Sequence, residues 1–101
     1  MIFISHRGNL TGPILKNEKI WCHCKNVEAL AAARKDHLHC FFHKTDDVVL
    51  TSKGHIWVYP GKQLVEGSFC VLPEICEYAR DEIVKCMGVC SDFIEKYEKC
   101  I

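Results

Sequence analysis

The sequence predicts an α/β fold: an abridged (β/α) barrel or an open, mainly parallel sheet of about six short strands with helices between several of them. Three observations lead there. Short runs rich in β-branched and aromatic residues recur along the chain: Ile2-Phe3-Ile4, Ile20-Trp21-Cys22-His23-Cys24, His39-Cys40-Phe41-Phe42-His43, His55-Ile56-Trp57-Val58-Tyr59, Phe69-Cys70-Val71-Leu72 and Val89-Cys90-Ser91. Stretches with helical periodicity separate several of these runs. The chain of 101 residues makes a single domain, residues 1–101. A complete (β/α)8 barrel takes roughly 250 residues.

Each element has a local justification. Ile2-Phe3-Ile4 is a buried strand that ends at Ser5-His6-Arg7-Gly8, and Gly8, Gly12 and Pro13 make the following stretch a loop. Asn26 is a good N-cap for a helix over Val27 to Lys35, with Val27, Leu30 and Ala31 as its inner stripe. Glu28 near its start and Arg34-Lys35 near its end suit the helix dipole. Thr45-Asp46-Asp47 breaks the chain after the His39 strand. Val48-Val49-Leu50 fits either a helical turn or an extended piece, and Lys53-Gly54 is a turn. Pro73 suits the first turn of a helix over residues 73–86, whose Ile75, Ala79, Ile83 and Cys86 share one face and whose Asp81 and Lys85 pair. Asp92 and Glu95 form a capping pair for a closing helix that turns Phe93, Ile94 and Tyr97 inward.

Composition narrows the function classes. Lysine plus arginine and aspartate plus glutamate balance at 13 each, which argues against a nucleic-acid or anionic-membrane binder. No apolar run reaches the roughly 20 residues of a membrane span. The apolar N-terminal run is too short for an export signal and is interrupted by His6-Arg7, so a cytoplasmic protein is the expectation. Eight cysteines would form a disulfide framework in a secreted chain; here the expectation is reduced thiols, several packed as small hydrophobes in the runs around Cys40, Cys70 and Cys90.

Two constellations can carry chemistry. The first is His6, Arg7, His23 and Lys25. Strand alternation puts Trp21, His23 and Lys25 on one side, and if their strand neighbours the first one, two imidazoles and two cations converge at strand ends. Such a set suits a phosphate: the cations neutralise it, and an imidazole can move a proton. The plainer reading of the same residues is a solvated loop and a half-buried strand histidine. The second constellation is Cys22, His23, Cys24, His37, His39, Cys40 and His43, soft ligands of the kind that hold zinc. Its spacing is poor, because Cys22 and Cys24 are separated by one residue and the histidines lie on a strand. Trp57 and Tyr59, on one side of their strand, are candidates for stacking on a substrate or for core packing. Lys62 could add a cation near a pocket.

His-Arg-Gly straight after an N-terminal strand resembles the opening of the glycerophosphodiester phosphodiesterase family. The family's later Glu-x-Lys strand corresponds to His23-Cys24-Lys25, with the lysine kept and histidine in place of the glutamate. Ile56-Trp57-Val58-Tyr59 looks like its aromatic strand, and Gly88-Val89-Cys90-Ser91-Asp92 is similar to its final strand with a small residue before aspartate. The segments KIWCHCKNVEAL, DDVVLTSKGHIWVYPGKQL and FCVLPE resemble a compact branch of that family.

The resemblance implies a phosphodiesterase-type barrel in which His6, Arg7 and His23 are the catalytic positions and Arg7 and Lys25 hold phosphate. It also implies Asp92 as the retained ligand of a divalent cation, Ca²⁺ or Mg²⁺. The family's Glu-x-Asp and second catalytic histidine have no counterpart. The chain reads as though the second and third barrel strands had been removed between Pro13 and Ile14. The expectation is therefore a degenerate family member that binds a phosphate or phosphodiester, with no bound cofactor. The alternatives are a Cys/His zinc-binding interaction module and a truncated product without independent function. The flanking strands Ile2-Phe3-Ile4 and Ile20-Trp21-Cys22 are expected either to pair directly, in parallel, or to form a homodimer interface.

Overall fold

A computed structural model describes residues 1–5 and 20–100. The strands are β1 (Ile2–Ser5), β2 (Trp21–His23), β3 (His39–Phe41), β4 (Val48–Leu50), β5 (Ile56–Val58), β6 (Phe69–Val71) and β7 (Gly88–Ser91). The helices are α1 (Val27–Lys35), α2 (Arg80–Val84) and α3 (Ile94–Cys100), with a 3-10 turn over Pro73–Ile75. The expected α/β class holds, and the sheet is open: among the described residues no closed barrel forms.

The strands make a five-stranded sheet in the order β1-β7-β6-β5-β4 and a two-stranded sheet of β2 and β3. Every pairing is parallel except the β4–β5 hairpin, which turns through Gly54 at φ 85°. The ambiguous Val48–Leu50 segment is thus the antiparallel edge strand. Ser52 links the sheets: its N–H donates to the Cys40 carbonyl at 2.9 Å, and its Oγ accepts from the Cys40 N–H at 2.9 Å.

Of the two arrangements expected for these strands, direct β1–β2 pairing does not form among the described residues. β1 lies beside β7, with Ile2 opposite Gly88 and Ser5 opposite Ser91, and β2 lies beside β3. The physical reason sits at Gly88. A Cβ there would meet Phe69 Cε2 at 2.3 Å and the Ile2 carbonyl at 2.4 Å, so a glycine lets β1 close onto β7 while Phe69 packs across it.

Strand alternation sorts the side chains into three apolar clusters. Val58, Cys70 and Val89 face the helical side with Leu64, Ile83, Cys86 and Tyr97. Trp57, Phe69, Val71 and Cys90 face the other way, toward Phe41 and Trp21 of the two-stranded sheet. Cys24, Ala33 and Cys40 pack β2–β3 onto α1. Cys40, Cys70 and Cys90 are buried as small hydrophobes, and the described cysteines Cys22, Cys24, Cys40, Cys70, Cys76, Cys86 and Cys90 are free thiols. None of the described helices is long and apolar enough to cross a membrane.

Helix α1 has the expected bounds, and Asn26 Oδ1 accepts the Ala29 N–H at 2.7 Å. Its inner stripe differs from expectation. Leu30 faces Cys24 and Cys40 as expected, but Val27 is 62 % exposed and Ala31 is exposed, and Ala33 takes the inward place, because the cap at Asn26 fixes the helix phase.

The helix expected over residues 73–86 is broken. Leu72 takes φ 49°, the turn stops after Ile75, Cys76 is extended, and α2 starts only at Arg80. Ile83 and Cys86 are buried as expected, but Ile75 is 71 % exposed. Lys85 bonds Glu82 at 2.8 Å rather than Asp81. At the C-terminal side, the Phe93 N–H donates to Ser91 Oγ at 2.8 Å and α3 begins at Ile94; Phe93 is exposed, while Tyr97 is buried and Ile94 half-buried.

Candidate functional site

The site is built on the parallel pair β2–β3. Trp21 stands opposite His39, Cys22 opposite Cys40 and His23 opposite Phe41. Alternation sends Cys22, Cys24 and Cys40 to the face that α1 covers. Trp21, His23, His39 and Phe41 go to the other face, where they meet rings of the larger sheet.

These rings form two connected levels. In the deeper one, the Trp21 ring lies 4.0 Å from His39, 4.9 Å from His55 and 4.6 Å from Phe69. His39 Nε2 is 2.8 Å from Thr51 Oγ1, which also accepts the His55 N–H at 3.1 Å. Burial is the main cause that pushes the His39 pKa down from 6.5 to about 4, with the neighbouring His55 and Lys53 charges adding to it. His39 is a neutral, structural histidine.

The outer level lies toward the carboxyl ends of β2, β3 and β5. His23 stacks on Phe41 at 4.7 Å and on His43 at 4.9 Å, the two imidazoles being 10° from parallel. Tyr59 meets His43 edge-on at 5.7 Å. Phe41 contacts Trp57 at 4.6 Å and so joins the two levels. His23 and Tyr59 are exposed, His43 is half-buried, and His43 Nδ1 is buried with no hydrogen-bond partner among the described residues. Lys25 and Lys44, both exposed, follow the two histidines in the chain. Paired imidazoles of this kind can donate N–H groups to an anion and pass a proton.

The sequence-predicted residues separate as follows. His23 occupies the site, and Lys25 follows it at the surface. His6 and Arg7 lie outside the described residues. Trp57 is 6 % exposed and belongs to the core between the sheets, whereas Tyr59 is 46 % exposed and borders the site. Lys62 makes a long, exposed ion pair with Asp47 at 3.8 Å.

Asp92 stands just past the end of β7, and its N–H donates to Glu74 Oε2 at 3.0 Å, while Glu74 Oε1 accepts the Ser91 hydroxyl at 2.7 Å. A Ca²⁺ ion takes six to eight oxygens and Mg²⁺ a full octahedron. The Glu74 bonds bring Asp92 and Glu74 together at the end of β7, where among the described residues no third His, Cys, Asp or Glu joins them. Nor do the thiols and imidazoles of the zinc constellation converge, since β2–β3 alternation places them on opposite faces. Among the described residues, no three His, Cys, Asp or Glu side chains come together in a way that could hold a metal ion.

Sequence reasoning placed His43 among zinc ligands and missed it as the partner of His23. The signal was present in the period of two, because His39, Phe41 and His43 alternate on one side of a strand. Comparison with known proteins adds no assignment: no family model matches the chain, and neither the curated proteins nor the solved structures contain a match.

Proposed function

We propose that this chain is a degenerate, glycerophosphodiester phosphodiesterase-like protein that binds a phosphate or phosphodiester at the carboxyl ends of its parallel strands. The observation that carries the reading is the pair of stacked imidazoles, His23 and His43, at the ends of neighbouring parallel strands, with Tyr59 edge-on to His43. Carboxyl ends of parallel strands are where α/β folds place ligands. His23 and His43 donate N–H groups to the phosphate oxygens, Lys25 supplies charge, and Tyr59 contacts the organic part. His6 and Arg7 join this set by resemblance alone. The pairing of the first strand with the last supports a shortened barrel, since a closed barrel makes the same neighbours.

The reading needs no divalent cation. An imidazole at the mouth can hold or pass a proton, but the described residues supply no carboxylate arrangement for ordinary phosphodiester hydrolysis. The test is an NMR titration of the histidine ring protons with glycerol 3-phosphate and with a glycerophosphodiester. The His23 and His43 signals should move saturably, and His23→Ala should abolish saturation while His37 and His55 stay unmoved. Uniform drift of all histidine signals with ionic strength would reject the site.

A further inference from the structure

We propose that Cys22 and Cys40 form a reversible intramolecular disulfide, which makes the α1-facing side of β2–β3 a site of oxidation by low-molecular-weight disulfides. The proposal is independent of the phosphate reading, because it uses the opposite face of the same strand pair.

Geometry selects these two thiols. Cys22 and Cys40 are direct partners in the parallel ladder and point to the same side, into the cluster that α1 covers. Neighbouring strands lie about 4.8 Å apart, inside the roughly 4.4–6.8 Å span of Cα separations that disulfides bridge. Cys24 joins the same cluster, but two residues along an extended strand cover about 6.6 Å, at the edge of that span, so a Cys22–Cys24 bond would distort β2. The Cys24 N–H is moreover committed to the Phe41 carbonyl at 2.8 Å, which fixes the strand there.

Access sets the order of events. Cys22 is half-buried, whereas Cys40 is 1 % exposed, so Cys22 is the thiol that a small oxidant reaches first. The Cys22 thiolate attacks one sulfur of the small disulfide, forming a mixed disulfide and releasing one small thiol. The Cys40 thiolate then attacks the Cys22 sulfur, forming the Cys22–Cys40 bond and releasing the second small thiol. Two cysteine thiols are oxidised, one disulfide is reduced, and the two cysteine protons end on the two departing thiols.

Burial, then the neighbouring Cys40, raises the Cys22 pKa, so attack by Cys22 is slow. A second close pair, Cys70 and Cys86, is buried on both sides. Cys70 and Cys86 share the helical-side core, and burial pushes Cys70 up to about 12.

The experiment is equilibration of the folded full-length chain with glutathione disulfide, followed by denaturation, alkylation and peptide mapping. The thiol count should fall from the eight of the sequence by two, with Cys22 and Cys40 in one linked peptide. Cys24→Ser should still lose two thiols, and Cys22→Ser should lose none. A Cys22–Cys24 link, a link between chains, or glutathione retained on Cys22 with Cys40 still alkylatable would each overturn the proposal. So would recovery of all eight thiols under oxidising conditions that link a control dithiol peptide. The wild-type map alone decides if a variant does not fold.

Discussion

His39 gives the sharpest quantitative expectation, because it is buried and its partners are known. In the unfolded chain it titrates near 6.5, and in the fold burial holds it to about 4. A depressed histidine pKa leaves stability intact above 6.5 and removes it as pH falls toward the folded value, since the unfolded state takes up the proton first. At about 1.36 kcal/mol per pKa unit, the loss is about 2 kcal/mol at pH 5 and about 3 kcal/mol below pH 4.

His39→Phe keeps a ring against Trp21 and removes the titration; Thr51 Oγ1 keeps the His55 N–H. Urea unfolding at pH 8 and pH 5 reads the difference. Wild type should lose about 2 kcal/mol more than the variant between those conditions, a relative midpoint change of about 1.5 M at an m-value of about 1.3 kcal/mol/M. Midpoints that fall in parallel for the two proteins would show that His39 is not held neutral and that the packing between the sheets is misread.

Three further outcomes test the fold and the site. Gly88→Ala should destabilise by about 3 kcal/mol in thermal or chemical unfolding, because its Cβ would meet the Ile2 carbonyl at 2.4 Å, backbone that cannot turn aside. Asn26→Ala should cost about 1 kcal/mol, with the loss confined to the β2–β3–α1 region in hydrogen exchange, since Asn26 Oδ1 caps only the Ala29 N–H. Hydrolysis of glycerophosphodiesters with added Ca²⁺ or Mg²⁺ should be negligible. Turnover near the roughly 10 s⁻¹ of an ordinary enzyme, lost in His6→Ala, would show that the site has been misjudged.

Local signals in the sequence determined most of the elements. The Asn26 cap starts α1 at Val27, Lys53-Gly54 makes the hairpin turn, and β-branched and aromatic runs mark the strands, because these features act through neighbouring residues alone. The burial of Cys40, Cys70 and Cys90 was legible for the same reason: each sits inside an apolar run.

What only the tertiary structure decided is who stands beside whom. The choice of β7 as the neighbour of β1 depends on the gap at Gly88 and on Phe69 across it, two residues far from β1 in sequence. The 73–86 stretch has a helical period, yet Glu74 is drawn to Ser91 and Asp92 at the end of β7, and Leu72 turns left-handed at its start. A pattern of spacing cannot register that competition. The site follows the same rule. His23 was readable as a candidate, but its partner is His43 because the β2–β3 register puts His23 opposite Phe41, and ladder register is set by packing across strands rather than by either strand alone.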